Sequence, residues 1–310
     1  MIVLANLWND YGSVLHKQFF QHALVAALLI GVLCGVVGTY VVLRGYAFLG
    51  DALAHATFPG VAVAYLLGTS ILGGALVAGL LTAVLIGGVS RNRRVSNDSA
   101  IGVLFAGAFA LGVMLISRIR SYRKDLSSLL FGNVLGVSTA DLVIICAMGA
   151  LILALVFFFY RELLLISFDP IYAASLGYPA WALDLLLLGV LTLTIVVCLQ
   201  VVGNVLVVAM ILTPSAAARL LTDRVPTMMA LGAAIGAFSA VIGLFVSYPA
   251  ELAPGATIVI VATAVFFLAL LFSPRQGYIT TWAMHRRRAE RLARSSPEEM
   301  PADGQADIAR

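Results

Sequence analysis

Charge is scarce in this chain. Only 11% of its 310 residues are Asp, Glu, Lys or Arg and 62% are hydrophobic, whereas soluble domains carry about 25% charged residues. That composition leaves no room for a large soluble domain. Lysine is scarcer still: Lys17 and Lys124 stand alone, followed by Gln18 and Asp125. A phosphate-cradling loop needs Gly-x-x-x-x-Gly-Lys-Ser/Thr, so a nucleotide site of that kind is excluded. Cysteine is limited to Cys34, Cys146 and Cys198, each inside an apolar run and without metal-ligand spacing; they read as small buried hydrophobes. The chain also lacks a His-Glu-x-x-His zinc motif, a Gly-x-Ser-x-Gly elbow and an aspartate-rich phosphate motif, which counts against an intramembrane enzyme. A signal peptide is not expected either. Trp8, Asn9, Asp10 and Tyr11 precede any long apolar run, and no basic stretch leads in.

What the chain has instead is membrane-length apolar sequence. About 20 residues span a hydrocarbon core, and such runs fall at 22–43, 46–67, 70–89, 98–117, 141–159, 181–200, 202–218, 227–247 and 254–272. The fold class is therefore all-α, a polytopic membrane protein with eight or nine spanning or partly spanning helices. Asp51 and His55 interrupt the second run and Pro214 the seventh. Three regions follow: an interfacial N-terminal segment over 1–21, a transmembrane domain over 22–274, and a basic C-terminal tail over 275–310. The tail combines five arginines between Arg286 and Arg294 with a Ser/Pro/Glu/Asp-rich stretch. It reads as disordered chain, its arginines meeting anionic lipid headgroups. No aromatic platform accompanies the charge, so a nucleic-acid partner is not expected.

Arginine in short loops marks the cytoplasmic side. Arg91, Arg93 and Arg94 put the 90–97 loop inside; Arg161, Arg219 with Arg224, and the tail agree if each run crosses once. That alternation sets the Arg44 turn inside and the N-terminus outside, whereas a half-crossing second segment would put the N-terminus inside. Arg118, Arg120, Arg123 and Lys124 would then face outward, the one violation.

The chemistry concentrates in Gly45-Tyr-Ala-Phe-Leu-Gly-Asp51-Ala-Leu-Ala-His55-Ala-Thr-Phe-Pro59. An ionisable group at bilayer depth costs roughly 2.5–3.5 kcal/mol on insertion scales, so its presence points to function. Asp51 and His55, four residues apart, share one helix face. A carboxylate and a neutral imidazole are half a site for a divalent transition metal; alternatively, they bond to each other and brace the helix. Pro59 extends the same face. It has no amide hydrogen, so the His55 carbonyl loses its helical partner. That carbonyl either lines a wet path as a further oxygen or bonds a neighbouring Ser or Thr across a packing kink.

Other features bear on shape. Gly31-xxx-Gly35 and Gly232-xxx-Gly236 let helices approach closely, as ordinary tight packing rather than a dimer face. Pro214 breaks a helix where Thr213 and Ser215 can re-satisfy the freed groups. Gln200 and Asn204 place amides near the turn between the sixth and seventh runs. Gln200 and Pro214 join Pro59 as candidates for shaping the path, through structural hydrogen bonding before ligand contact. In Phe168-Asp169-Pro170-Ile-Tyr-Ala173-Ala-Ser-Leu176-Gly177-Tyr-Pro179, Asp-Pro starts a helix and Gly177 ends it with Pro179 beyond. A short self-capped helix between two spans reads as a docking element for a cytoplasmic partner, or else as a helix lying along the membrane.

Several motifs, taken in order, resemble the permease subunits of metal-ion ABC transporters, which import manganese, zinc or iron into bacteria. They are Leu43-Arg44 running into Phe48–Ala62, Asp98–Phe105, Leu130–Gly136, Phe168-Asp-Pro170 with Leu176-Gly177, and Thr213–Asp223, spread over about residues 20–275. The resemblance implies that Asp51 and His55 are metal-path residues and that Asp169, Pro170, Ala173, Leu176 and Gly177 belong to the coupling helix. It implies a second copy of the chain, two ATP-hydrolysing subunits inside, an extracytoplasmic metal-binding protein and a bacterial plasma-membrane location. The chain itself would be no enzyme and hold no permanent cofactor, with Mn²⁺, Zn²⁺ or Fe²⁺ as cargo. Asn204, where an apolar residue is expected, and the long basic tail depart from the family. The rival reading is a secondary transporter using Asp51 and His55 as a proton-linked pair.

Overall fold

The computed structural model describes residues 17–90, 96–117, 132 and 134–273. Inside a bilayer no water is available to backbone amides, so each apolar run takes the form that satisfies its own. All regular structure among the described residues is accordingly helical: α1 (Gln18–Arg44), α2 (Ala47–Ala56), α3 (Phe58–Leu67), α4 (Ile71–Ser90), α5 (Asn97–Ser117), α6 (Thr139–Phe158), α7 (Tyr160–Phe168), α8 (Pro170–Ser175), α9 (Ala180–Val202), α10 (Asn204–Leu221), α11 (Val225–Ser247) and α12 (Pro254–Phe272). Eight segments among them are long and apolar enough to cross a membrane, α2 and α3 counting as one, and α10 contributes a shorter apolar helix. The all-α polytopic expectation is met. The largest boundary shifts are in α1, which starts at Gln18 rather than 22, and in the run expected at 202–218, which is helical over Asn204–Leu221.

The contacts sort the helix ends into two faces. Phe20 near the start of α1 packs on Phe245 and Tyr248 at the end of α11. At the opposite face, Arg44 ends α1 and pairs with Asp184 near the start of α9. The hydroxyl of Ser273, just past α12, donates to the Leu220 carbonyl at the end of α10 (2.6 Å). These helix ends alternate between the two faces as one crossing per run requires.

The core is built on small residues. A Cβ added to Gly31 of α1 would stand 2.6 Å from the carbonyl carbon of Gly236 on α11. Gly35 meets Gly232 in the same way one turn on. The two Gly-xxx-Gly motifs therefore mate with each other inside one chain. On another side of α1, Gly38 admits α10, and the Ser215 hydroxyl donates to the Gly35 carbonyl (3.1 Å). The expectation that Ser215 repairs its own helix beside Pro214 is corrected: the close approach at Gly35 and Gly38 gives its hydroxyl a better-placed acceptor on the neighbouring helix.

Cys34 and Cys198 are buried with their sulfurs 3.5 Å apart, as small core residues. Cys146 is exposed on α6, correcting its expected burial. An outward face of a membrane helix is as apolar as an inward one, so composition did not separate them.

Burial divides the helices. In α1 72% of the most apolar window is enclosed, against 17% in α5. Val103, Phe109, Leu111, Val113 and Met114 of α5 are apolar surface exposed on the single chain. The N-terminal segment to residue 16, the arginines of 91–95, the basic cluster of 118–124 and the tail beyond 273 lie outside the described residues, as do the side chains of Gln200 and Asn204.

Candidate metal centre

Asp51 and His55 lie on α2, which packs against α4, α5, α9 and α10. Their spacing of four residues brings Asp51 Oδ1 to 3.6 Å from His55 Nε2. That is longer than a hydrogen bond, so the pair is adjacent without clasping itself. An ion about 2.1 Å from each atom would subtend roughly 118° between them at that separation. An open, irregular coordination sphere accepts such an angle. The Asp51 side chain is 43% exposed and that of His55 20%, so the carboxylate faces outward from the single chain and the imidazole sits behind it. Among the described residues no third His, Cys, Asp or Glu joins the pair in a metal-binding group.

Phenylalanine surrounds the imidazole. Phe58 stacks on it (ring centroids 5.9 Å apart, 19° between planes), while Phe105 and Phe109 of α5 meet it edge-on at 5.5 and 5.4 Å. Phe105 and Phe109 stack on each other, and Phe48 packs against Phe105. Such a collar fixes the ring orientation and excludes water from its flanks, leaving Nε2 directed at Asp51. Sequence reasoning missed these residues. On a span that is apolar all round, a Phe pair four residues apart has no signature of its own.

The expected break at Pro59 occurs, but its position changes its meaning. Helix α2 ends at Ala56, Thr57 stays near helical (φ −72, ψ −23), and Pro59 occupies the first turn of α3, where its missing amide leaves nothing unpaired. The His55 carbonyl accepts from the Thr57 amide, and the Thr57 hydroxyl donates to the Ala54 carbonyl (2.7 Å). The carbonyl is thus partnered within its own turn. His55 lies in the last turn of α2, where the negative end of the helix dipole favours a cation. Pro59 itself lines an apolar groove of about 540 Å³ between α3 and α4. Pro214 is buried within α10, which runs through it from Asn204 to Leu221, correcting the expected break.

At the opposite end of the chain's polar inventory, α8 caps itself as its sequence predicts. Asp169 accepts from the amides of Ile171 and Tyr172 (3.0 and 2.8 Å), with Pro170 in the first turn. Gly177 follows at φ +85, a left-handed conformation that suits glycine. Ile171, Tyr172 and Leu176 are exposed, Ile171 by 82%. Ala173 is fully buried, so it anchors the helix and cannot itself touch a partner.

A second polar cluster also went unread. Asp184, an acid near the head of an otherwise apolar span, pairs with Arg44 and Tyr46. The rule that singled out Asp51 bears on it less sharply, because it stands near the end of its span.

The chain is similar to known proteins along most of its length. The ABC 3 transport family matches residues 16–273. The chain is 46% identical to the manganese transport system membrane protein MntC of Halalkalibacterium halodurans over 94% of this chain and all of that one. It is 40% identical to the manganese import system permease protein ScaB of Streptococcus gordonii, covering 84% of this chain and 94% of the relative. Among solved structures, PsaBC from Streptococcus pneumoniae in complex with Fab superposes with a TM-score of 0.80 at 37% identity, over 90% of this chain and 99% of that one. With a matching fold, a matching span and close relatives along nearly its whole length, the chain belongs to the ABC 3 transport family, as a multi-pass permease of the bacterial inner membrane.

Proposed function

We propose that this chain forms the metal path of an importer that moves Mn²⁺ into the cytoplasm, with Asp51 and His55 as its first ligands. The observation that carries the reading is the incomplete pair: a carboxylate and an imidazole 3.6 Å apart, turned toward an open face, with no third ligand among the described residues. A divalent ion of this class needs four or more donors. A second copy of the chain related by a two-fold axis would supply another Asp51 and His55, completing an O/N set on that axis. The open apolar surface of α5 beside the site is in keeping with a partner there. Hard oxygen and imidazole donors without thiolate suit Mn²⁺, Zn²⁺ and Fe²⁺ and not Cu(I). Manganese is favoured among them because relatives at 40–46% identity are named manganese permeases.

Energy and delivery come from other chains. Two ATPase subunits dock on the Arg44 face, the cytoplasmic one by its arginines, where Ile171, Tyr172 and Leu176 of the self-capped α8 stand exposed. An extracytoplasmic metal-binding protein loads the opposite face. Uptake of ⁵⁴Mn by proteoliposomes holding the permease and its ATPase tests the reading. Uptake should require ATP and vanish in the Asp51→Ala and His55→Ala variants. ATP-independent uptake driven by a pH gradient would replace it with the proton-linked transporter.

A further inference from the structure

The Asp51–His55 site and the exposed helix α8 lie on different elements, and one polar cluster joins them. From α8, a run of backbone hydrogen bonds leads into α9: Tyr178 N–H to Ala173 O (3.2 Å), Ala180 N–H to Tyr178 O (2.8 Å) and Leu183 N–H to Pro179 O (3.1 Å). Ala173 is fully buried beneath α8. The docking helix and the head of α9 are thus tied through successive backbone bonds. Asp184 is the next residue.

Its Oδ1 accepts from two donors on either side of one hinge. Arg44, the last residue of α1, donates at 2.6 Å, and the Tyr46 hydroxyl, immediately ahead of α2, donates at 3.1 Å. Between them Gly45 sits at φ +68 with open space around its α-carbon, a joint only glycine adopts without strain. The Arg44 guanidinium also lies over the Tyr46 ring, 5.3 Å from its centroid. Tyr46 in turn starts α2, its carbonyl accepting from Gly50 N–H (3.0 Å). A helix rises about 1.5 Å per residue, so Asp51 follows within roughly 8 Å along a stiff rod. Asp184 therefore grips the base of the helix that holds the metal ligands.

The cluster is poorly suited to being a simple brace. Arg44 and Asp184 are 13% and 32% exposed, and an ion pair so far withdrawn from water gains little net stability over apolar packing. Arg44 engages one carboxylate oxygen through one nitrogen, and its buried Nε has no hydrogen-bond partner among the described residues. A cavity of about 30 Å³, bordered by Tyr46, Leu49, Ile86, Asp184 and Leu188, leaves room beside it. Charge-assisted bonds hold the cluster, and the space beside it is about that of one water.

We propose that Arg44, Tyr46 and Asp184 form a transmission clamp: displacement of α8 by the ATPase passes through α9 and Asp184 to the head of α2, and so resets Asp51 and His55 for release. The three are positioning residues that touch neither metal nor nucleotide. This rests on the importer reading above, and the test separates the two. The permease is purified and reconstituted with its ATPase, and three quantities are measured: ⁵⁴Mn bound at equilibrium, ATP hydrolysed, and ⁵⁴Mn transported per ATP. Asp184→Asn keeps the shape and an acceptor but loses the charge. A coupling free energy of ordinary size predicts that transport per ATP falls about tenfold, with binding and hydrolysis unchanged. Tyr46→Phe, which keeps the ion pair and the packing, should show a smaller loss in the same ratio. The double exchange Arg44→Asp with Asp184→Arg should recover much of what either single reversal loses.

An unchanged ratio in both Asp184→Asn and Tyr46→Phe overturns the clamp and leaves the importer standing. So does a loss of ⁵⁴Mn binding in step with transport, which would make the cluster a support for the site and nothing more. If the wild-type complex shows no ATP-driven uptake, the importer reading itself fails and the clamp with it.

Discussion

Gly31 of α1 and Gly236 of α11 meet backbone to backbone, with 2.6 Å between an added Cβ on Gly31 and the Gly236 carbonyl carbon. Lipid tails are as apolar as any side chain, so close packing rather than hydrophobicity holds these two helices together. Backbone cannot yield as a flexible side chain can. Gly31→Ala should therefore destabilise the protein by about 1–3 kcal/mol, read as a lower midpoint of thermal unfolding in detergent. Gly88→Ala, where an added Cβ meets nothing within 4 Å, should be neutral or slightly stabilising, since alanine favours helix by up to about 1 kcal/mol. Equal midpoints for the two variants would remove the glycine contact as a determinant of the packing.

Ile171→Asp places a charge on the more exposed of the two large apolar side chains of α8, where substitution costs the fold within about 0.5 kcal/mol. ATP-driven uptake should fall sharply while equilibrium metal binding stays as in the wild type. Asp169→Ala removes the cap of the same helix, a loss of about 1 kcal/mol, and should weaken uptake in the same direction. Wild-type uptake by both variants would move the docking surface elsewhere.

Pro59→Ala restores an amide four residues beyond His55 and lets α2 and α3 compete to become one continuous helix. The Thr57 amide would then lose its hold on the His55 carbonyl, turning the imidazole relative to its phenylalanine collar. The variant should insert and fold, yet bind metal more weakly or with altered preference between Mn²⁺ and Zn²⁺. Unchanged affinity and preference in competition binding would leave Pro59 as a shape element of the α3–α4 groove.

Truncation after Ser273 removes the basic tail but keeps the Ser273 hydroxyl on the Leu220 carbonyl. Uptake per inserted molecule should survive. Complete loss with normal insertion would give the tail a role in assembly or regulation.

The sequence reveals most where local chemistry is strong. Membrane-length runs, the Asp-Pro start of α8 and the Asp51–His55 spacing each rest on a rule that acts within a few residues, and each has its counterpart in the structure. The mating of Gly31 with Gly236 and Gly35 with Gly232 depends on which helices become neighbours, information carried by no single span. The Phe105–Phe109 collar is hidden for a related reason: along a helix that is apolar on every side, periodicity no longer marks the inward face. The Pro59 break is visible in sequence, but the Thr57 amide that takes up the His55 carbonyl follows from turn geometry alone. Asp184 is the instructive omission. Its position near the end of a span makes it resemble an interfacial charge, and only the fold brings Arg44 and Tyr46 to it.

The central claim is that Asp51 and His55 together hold the transported ion. It is tested most directly by ⁵⁴Mn binding and ATP-driven uptake in one preparation of the reconstituted complex, comparing the wild type with Asp51→Ala and His55→Ala. Removing a polar group at bilayer depth favours insertion, so both variants should reach the membrane at wild-type levels. Both should then lose saturable ⁵⁴Mn binding and ATP-driven uptake. Near-normal uptake by the two single variants would contradict the account and place the ion on other residues.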